Sequence, residues 1–213
     1  SRISSFSLTG ELLANWGGSD TLRDTFARLG AGPLDATSKD AALAATLPQT
    51  VYTAHVSGVG GTTGIALAEA YDAALADQAK RLTALSVRTQ VGAGADSQIA
   101  GFVIAGEGTK KIVVRAVGPG LAPGVTGYLA DPTLRLWKLN PTTGTWTLIA
   151  ANDNWGGAST LKTAFSSVGM GALATDSKDA ALMMELEPGI YTAQVNGVGA
   201  TTGVALVEAY ELP

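Results

Sequence analysis

The sequence predicts an all-β protein made of β-sandwich repeats, with one short helix in each repeat. Glycine accounts for 27 of the 213 residues, and charged residues make up 15%, below the usual share of about a quarter. Short runs rich in Val, Ile, Leu and Thr alternate with Gly, Pro or Asn-Asp clusters, which is typical of strands joined by turns. A third observation, an internal repeat, indicates how many such units the chain holds.

The repeat relates Asn15–Tyr71 to Asn154–Tyr210 without a gap, at a constant offset of 139 residues. About 32 of these 57 positions are identical. The motifs NWGG and SKDAAL recur unchanged, and YTAHVSGVGGTTG recurs as YTAQVNGVGATTG. This level of identity indicates two copies of one structural unit.

The two copies differ at their N-terminal ends. Copy two has a long first half, 81–151, whereas copy one has only Ser1–Ala14, a hairpin around a Thr9-Gly10 turn. That hairpin matches the one at Thr133–Ala150, so copy one lacks counterparts of three strands. We predict an incomplete repeat over residues 1–73, a linker over 74–81 and a complete repeat over 82–213.

Each copy carries one amphipathic helix. Three apolar residues per helix share the spacing i, i+4, i+7, namely Leu161, Phe165 and Val168, and in copy one Leu22, Phe26 and Leu29. Ser19 and Ser159 are candidate N-caps, and Gly30 and Gly169 stand where a left-handed residue ends a helix. We expect these helices to plug the open end of the sandwich. The predicted strands of copy two lie near 84–91, 98–105, 109–118, 132–139, 145–151, 179–186, 190–198 and 202–210.

Composition excludes several functions. The net charge of −4 and the lack of a basic run exclude a surface that tracks nucleic-acid phosphates. No apolar run approaches the roughly 18–20 residues of a transmembrane segment. The absence of cysteine excludes disulfides and thiolate chemistry. Because the chain starts with Ser1 rather than Met, we expect it to be a mature or excised piece.

The sequence offers no catalytic constellation. His55 is the only histidine, and its repeat counterpart is Gln194, which cannot act as the same base. The glycine run at 58–64 precedes a strand-like stretch rather than the helix that a phosphate-binding loop requires, so we interpret it as a hairpin connection. A hydrolase would need a carboxylate pair, and the scattered acidic residues of copy two lack such a spacing. We therefore predict that the chain is not an enzyme.

One metal site is open to copy two. Asp131, Asn152 and Asp153 offer the oxygen ligands that calcium prefers, and calcium is the one possible cofactor. The alternative is a turn before the helix, stabilised by the same short polar side chains. Copy one has Leu13 and Ala14 where copy two has Asn152 and Asp153, so the site would belong to copy two alone.

Aromatic residues suggest a second kind of site. Trp137 and Trp146, with nearby Asn140 and Asn152, offer a stacking and hydrogen-bonding face for a surface glycan. Both tryptophans lie on one predicted hairpin. Trp155, in contrast, recurs as Trp16 in copy one, and we assign that pair to the core.

Two further features point to architecture. Arg88 and Arg115 stand among apolar neighbours in predicted strands, and a buried arginine has to be paired, for which Glu208 is a candidate. The triplet Ser38–Asp40 recurs as Ser177–Asp179. We interpret it as a turn with a local ion pair or, alternatively, as a surface contact that both copies share.

Longer motifs resemble known families. Asp131–Gly157 together with Met184–Tyr210 resembles the pre-peptidase C-terminal domain family, with its D-P-x-L-x-L hairpin, N-D-D/N-G stretch and P-G-x-Y-x-x-x-V strand. Arg81–Ile104 and the motif G-V-G-x-T-T-G are similar to tandem repeats in secreted, surface-associated proteins of verrucomicrobia-like bacteria. The resemblance covers nearly all of copy two and the second half of copy one. It implies a jelly-roll-like β-sandwich and an extracellular or cell-surface location.

These observations lead us to expect a non-enzymatic extracellular structural or adhesive module. An incomplete repeat exposes sheet edges and apolar surface, and such edges recruit other chains. We therefore expect a homo-oligomer, a fibre or a surface layer formed by strand complementation. The alternative is a carbohydrate-binding β-sandwich module of a secreted multidomain protein.

Overall fold

A computed structural model describes residues 2–7, 10–14, 16–73 and 82–213 of the chain. The chain forms two compact units, Ser1–Leu82 and Thr83–Pro213, which we call unit 1 and unit 2. Unit 1 holds copy one of the repeat and unit 2 holds copy two. The linker predicted at 74–81 lies outside the described residues.

The described part of unit 1 contains a small antiparallel sheet and one helix. Their bounds are β1 (Arg2–Ser7), β2 (Gly10–Ala14), α1 (Asp20–Leu29) and β3 (Thr53–Ser57). β1 lies in the middle, paired with β2 on one side and with β3 on the other. The strand pairing of the N-terminal hairpin predicted from the sequence is thereby confirmed, whereas Gly10, predicted for its turn, belongs to β2 and Thr9 lies outside the described residues.

Helix α1 begins and ends as the sequence predicts. The Ser19 side chain accepts a hydrogen bond from the Leu22 amide at 3.4 Å, and Gly30 ends the helix at φ +71°. Trp16 is buried beside this helix, with its ring centroid 5.3 Å from that of Phe26. These contacts confirm the structural role assigned to Trp16.

Unit 2 is an all-β sandwich, as predicted. Its elements are β4 (Ala84–Val91), β5 (Gln98–Ile104), β6 (Lys110–Val117), β7 (Pro132–Asn140), β8 (Thr145–Asn152), α2 (Ser159–Ser167), β9 (Ala180–Leu186), β10 (Gly189–Gly197) and β11 (Gly203–Glu211). The strands form two antiparallel sheets, with orders β5-β10-β7-β8 and β4-β11-β6-β9. The predicted strands agree with the observed ones to within a residue or two.

The core lies between the two sheets. Strand β10 alternates as the sequence predicts, since Tyr191, Ala193 and Val195 are buried while Ile190 is exposed. Strand β6 is instead buried on both faces: Val114 faces the core, and Val113 packs in a second apolar cluster with α2. The continuous apolar run of β6 therefore reflects a strand that is covered on both sides.

Helix α2 covers the outer face of the β4-β11-β6-β9 sheet. Its buried Phe165 joins Val113, Val117 and Ala181, all on that outer face, in one cluster with Trp155. The expectation that the helix plugs the open end of the sandwich is therefore wrong, because the apolar outer face of β6 and β9 needs a cover along its length. The helix also begins one residue earlier than predicted, with Ala158 rather than Ser159 as its N-cap.

The glycine-rich motif of copy two, Gly197–Gly203, connects the two sheets of unit 2. In unit 2 it links β10, in one sheet, to β11, in the other, so the hairpin predicted for this motif is wrong. The crossing is tight: a Cβ atom on Gly197 would lie 2.1 Å from the Thr201 carbonyl oxygen. Glycine is needed at this position because the backbone folds back on itself within four residues.

Candidate functional site

A buried ion pair joins two central strands of unit 2. Arg115 on β6 donates from Nε and Nη2 to Oε2 of Glu208 on β11, at 3.0 and 2.5 Å. Its Nη1 donates to the Gly171 carbonyl at 2.6 Å, and the guanidinium lies 4.7 Å from the Phe165 ring centroid. The predicted partner Glu208 is confirmed. Arg88, by contrast, is exposed on edge strand β4, so the burial expected for it is wrong.

A buried carboxylate holds the turn that follows β6. Asp179 is fully buried and accepts hydrogen bonds from the amides of Gly118, at 2.7 Å, and Gly120, at 3.1 Å. Ser177 Oγ donates to the same carboxylate at 2.7 Å. The local ion pair predicted within the S-K-D triplet is wrong for unit 2, because Asp179 is buried and Lys178 pairs with Asp131. Asp179, just before β9, holds the Gly-Pro-Gly turn at 118–120, which lies about 60 residues earlier in the chain. No local sequence pattern indicates this contact.

Unit 1 has the sequence of these elements without their structure. The stretches 41–47 and 64–72 correspond to β9 and β11, yet neither is a strand. Leu47 is 54% exposed where its counterpart Leu186 is 3% exposed, and Leu67 is 81% exposed. We call these two stretches the open frame of unit 1. They would flank a counterpart of β6, which the described part of unit 1 does not contain.

The polar groups of unit 1 are left without the partners they have in unit 2. Glu69, the counterpart of Glu208, is exposed and accepts only the Tyr71 hydroxyl, at 3.0 Å, among the contacts of the described residues. Ser38 Oγ, the counterpart of Ser177 Oγ, is buried with no hydrogen-bond partner in the described structure. Trp16 keeps its backbone bond to Asp40, at 3.0 Å, as Trp155 does to Asp179, at 2.9 Å. Unit 1 therefore keeps the backbone contact that leads into 41–47 and lacks the side-chain contacts that β6 and its turn make in unit 2.

Unit 2 presents a second surface, the outer face of the β5-β10-β7-β8 sheet. No helix of the described residues covers this face, and five apolar side chains share it in exposed positions: Ile99, Val103, Trp146, Leu148 and Ile190. The strand register places Trp137 opposite Leu148 and Trp146 opposite Leu139. The two tryptophans predicted to bind glycan are thus diagonal neighbours on one face.

The polar residues predicted for that site are engaged elsewhere. Trp137 is half-buried, and its Nε1 donates to Gln194 Oε1 at 3.2 Å, whereas Trp146 is 45% exposed. Asn140 Oδ1 accepts the Thr142 amide at 3.0 Å and so stabilises the hairpin turn. Asn152 Oδ1 accepts the Ala181 amide at 2.9 Å. The structure therefore brings the tryptophans together and uses both asparagines to hold backbone.

The residues predicted to bind calcium are also distributed among other contacts. Asp131 Oδ2 pairs with Lys178 Nζ at 2.5 Å, Asp153 is exposed, and Asn152 bridges β8 to β9. No three His, Cys, Asp or Glu side chains gather into a metal-binding group within the described ranges. The calcium site stays a prediction from the sequence. The Asn152 side chain also donates to the Asn154 carbonyl at 3.0 Å, which corresponds to the alternative interpretation, a turn before the helix stabilised by short polar side chains.

No family model matches this sequence, and no curated protein matches it significantly. The functional argument therefore depends on the residues themselves. Within the described part of the chain, none of the helices has the length and apolar character needed to span a membrane. His55 is exposed on β3, as expected for a polar residue whose counterpart is a glutamine.

Proposed function

We propose that this chain is a non-enzymatic, extracellular structural or adhesive module that assembles through β-strand complementation of unit 1. The open frame carries the proposal, because a closely similar sequence forms paired, largely buried strands in unit 2. Extended segments with unpaired backbone groups are the surfaces to which strands of another chain add. Repeated additions of this kind, each with strands beyond those that unit 2 already uses, would build a fibre or a surface layer.

Burial of the frame would provide the driving force for assembly. Ile65 and Leu67 are largely exposed in unit 1, whereas their counterparts on β11, Val204 and Leu206, are partly buried, and Leu206 packs against the cluster around α2. Burying one such aliphatic side chain stabilises a complex by about 1.5–3 kcal/mol. Pairing the backbone of 41–47 and 64–72 would add the hydrogen bonds that β6 supplies in unit 2.

Hydrogen exchange tests this proposal directly. The chain would be mixed with a separate polypeptide of residues 83–122, which contains β4, β5 and β6, and exchange would be followed by peptide. We expect slower exchange in 41–47 and 64–72. A polypeptide of residues 132–152, whose hairpin unit 1 already has as β1 and β2, is the matched control. If the 83–122 polypeptide gave no more protection than the hairpin, strand complementation would be wrong.

A carbohydrate-binding role is the second candidate, and the uncovered outer face of unit 2 favours it. Exposed Trp146 and half-buried Trp137 are diagonal neighbours there, in an arrangement on which a sugar ring can stack. Retention of the chain on insoluble polysaccharides tests this function. Trp146→Ala should abolish retention, whereas Ile99→Ala, at the opposite edge of the same sheet, should leave it unchanged. Equal retention of all three proteins would exclude the tryptophan face.

A further inference from the structure

The number of strands in the chain restricts what can complete unit 1. Units 1 and 2 would each need their own equivalents of β4, β5 and β6, but the described residues contain one such set of strands, at 84–117. Unit 2 already uses it. If a second copy donated its set to unit 1, its own unit 2 would become incomplete. Identical copies of residues 1–213 therefore cannot satisfy every frame, and the completing segment has to come from additional polypeptide.

The register in unit 2 shows how a strand would fit the frame. β6 lies between β11 and β9, with Arg115 opposite Glu208 and Lys110 opposite Leu186. The repeat offset transfers these positions to Glu69 and Leu47 of unit 1. A strand in that register would carry its arginine opposite Glu69, whose carboxylate is now exposed.

A second contact would fix the end of the same strand. Asp179 accepts the amides of Gly118 and Gly120 just beyond β6, and Asp40 occupies the corresponding position in unit 1. Asp40 accepts no side-chain hydrogen bond from the described residues, and neighbouring Ser38 Oγ is buried without a partner. A Gly-Pro-Gly turn entering here would supply amide donors to Asp40, which could then accept the Ser38 hydroxyl as Asp179 accepts Ser177.

The residues that surround the arginine in unit 2 have sequence counterparts in unit 1. Phe26 and Gly32 correspond to Phe165 and Gly171, the two residues besides Glu208 that contact the Arg115 guanidinium. A largely apolar depression of about 270 Å³ lies beside Phe26, lined also by Ala31 and Pro33, which flank Gly32. Part of this space arises because Ala31 stands where unit 2 has buried Met170.

We infer that the partner of unit 1 is a polypeptide segment of the 84–120 type, recognised through an arginine that pairs with Glu69 and a Gly-Pro-Gly turn that binds Asp40. The inference rests on the proposed strand complementation and adds its specificity. An edge that recognises any extended chain would depend on backbone alone. This frame also selects for a cation at one register position, which excludes a strand shifted by one residue because its arginine would point to the other face.

Binding of the 83–122 polypeptide to the full chain tests this specificity. We expect Arg115→Leu in the polypeptide to weaken binding at least about 100-fold, since it leaves Glu69 buried and unpaired in the complex. Arg88→Leu in the same polypeptide is the matched control, because Arg88 is exposed on the edge strand of unit 2, and it should change binding less than about 3-fold. In the chain, Glu69→Gln should weaken binding as strongly, and Asp24→Asn on the exposed side of α1 should not.

A compensating pair of substitutions, one in the chain and one in the polypeptide, distinguishes a lost specific contact from general disruption of either fold. Glu69→Leu in the chain combined with Arg115→Leu in the polypeptide should recover most of the lost affinity, because an apolar pair of similar volume replaces a buried ion pair at little cost. Asp40→Asn should weaken binding about 10-fold or more by removing an acceptor for two amides.

The possible results discriminate between the two proposals. If the wild-type and Arg115→Leu polypeptides protected the frame equally, the arginine specificity would be wrong and strand complementation would stand. If neither polypeptide bound, both would be wrong. Light scattering of the chain alone should show no concentration-dependent association that is accompanied by slower hydrogen exchange in 41–47 and 64–72, since a second copy has no spare strand. Such association would overturn the inference and make a second copy the occupant.

Discussion

Arg115 and Glu208 form an ion pair whose side chains are only 4% and 8% exposed. The pair joins β6 to β11 at directly opposed positions. The Arg115 guanidinium also donates a hydrogen bond to the Gly171 carbonyl. Two charges removed from water in this way stabilise a fold only while both are present. The repeat counterpart Glu69 is exposed, so the same residue type occupies opposite environments in one chain.

Glu208→Gln should therefore destabilise unit 2 by about 3–5 kcal/mol, because it leaves the Arg115 guanidinium buried without the carboxylate that balances its charge. Glu69→Gln is the matched control and should leave the free energy of unfolding of the chain unchanged. Urea unfolding of the two variants, monitored by hydrogen exchange of the β6 and β11 amides, measures both changes in stability. Equal effects of the two substitutions would contradict the burial difference on which the open frame depends.

A similar comparison applies to buried Asp179 and its partly buried counterpart Asp40. Asp179→Asn should destabilise unit 2 by about 1–3 kcal/mol, since an amide group at this position turns one acceptor into a donor facing Gly118 and Gly120. Asp40→Asn in unit 1 has no such donors to oppose and should have little effect without a partner. Thermal unfolding of both variants tests this, and a neutral Asp179→Asn would mean that the carboxylate does not hold the turn.

Local sequence pattern was sufficient for the strands of unit 2 and insufficient for those of unit 1. The segment SKDAAL is identical in both copies, and E-A-Y closes both, yet the strands form only where β6 lies between them. Apolar alternation specifies which face of a strand is buried, but pairing requires a partner from elsewhere in the chain. A strand pattern therefore predicts a capacity to pair, and the open frame retains that capacity.

The site residues illustrate the same limit. Glu208 was predictable as the partner of Arg115 because a buried arginine requires an acid, whereas the role of Asp179 was not, since Gly118 is 61 residues away in sequence. Tryptophan spacing placed Trp137 and Trp146 on one hairpin, and the register then set them diagonally on one face. Side chains that hold backbone, such as Asn140 and Asn152, have no sequence signal that separates them from ligand-binding residues.

Tyr210 gives unit 2 a stability limit at alkaline pH. Burial raises the pKa of Tyr210 above its ordinary value of 10.0, and the Glu208 carboxylate raises it further, while Arg115 lowers it in part. The folded state thus favours the neutral phenol, so this contribution to stability is fully present below pH 10.0 and is lost as the pH rises through the folded-state pKa. Urea unfolding across this range should show stability falling more steeply for the wild type than for Tyr210→Phe. Parallel curves would show that Tyr210 does not contribute.

Ala200 adopts a backbone conformation that glycine holds more easily. It has φ +61°, whereas Gly61, at the same place in copy one, has φ +75°. A left-handed conformation costs a residue with a Cβ about 1–2 kcal/mol, and part of the relief in Ala200→Gly is offset by the greater freedom of glycine in the unfolded chain.

We expect Ala200→Gly to stabilise unit 2 by about 0.5–1 kcal/mol and Gly61→Ala to destabilise unit 1. A Cβ on Gly61 would meet no atom within 4 Å, so the second effect would come from the backbone alone. Differential scanning calorimetry of both variants measures the shifts, and a lower melting temperature for Ala200→Gly would show that the alanine side chain contributes more through its contacts than the backbone strain costs.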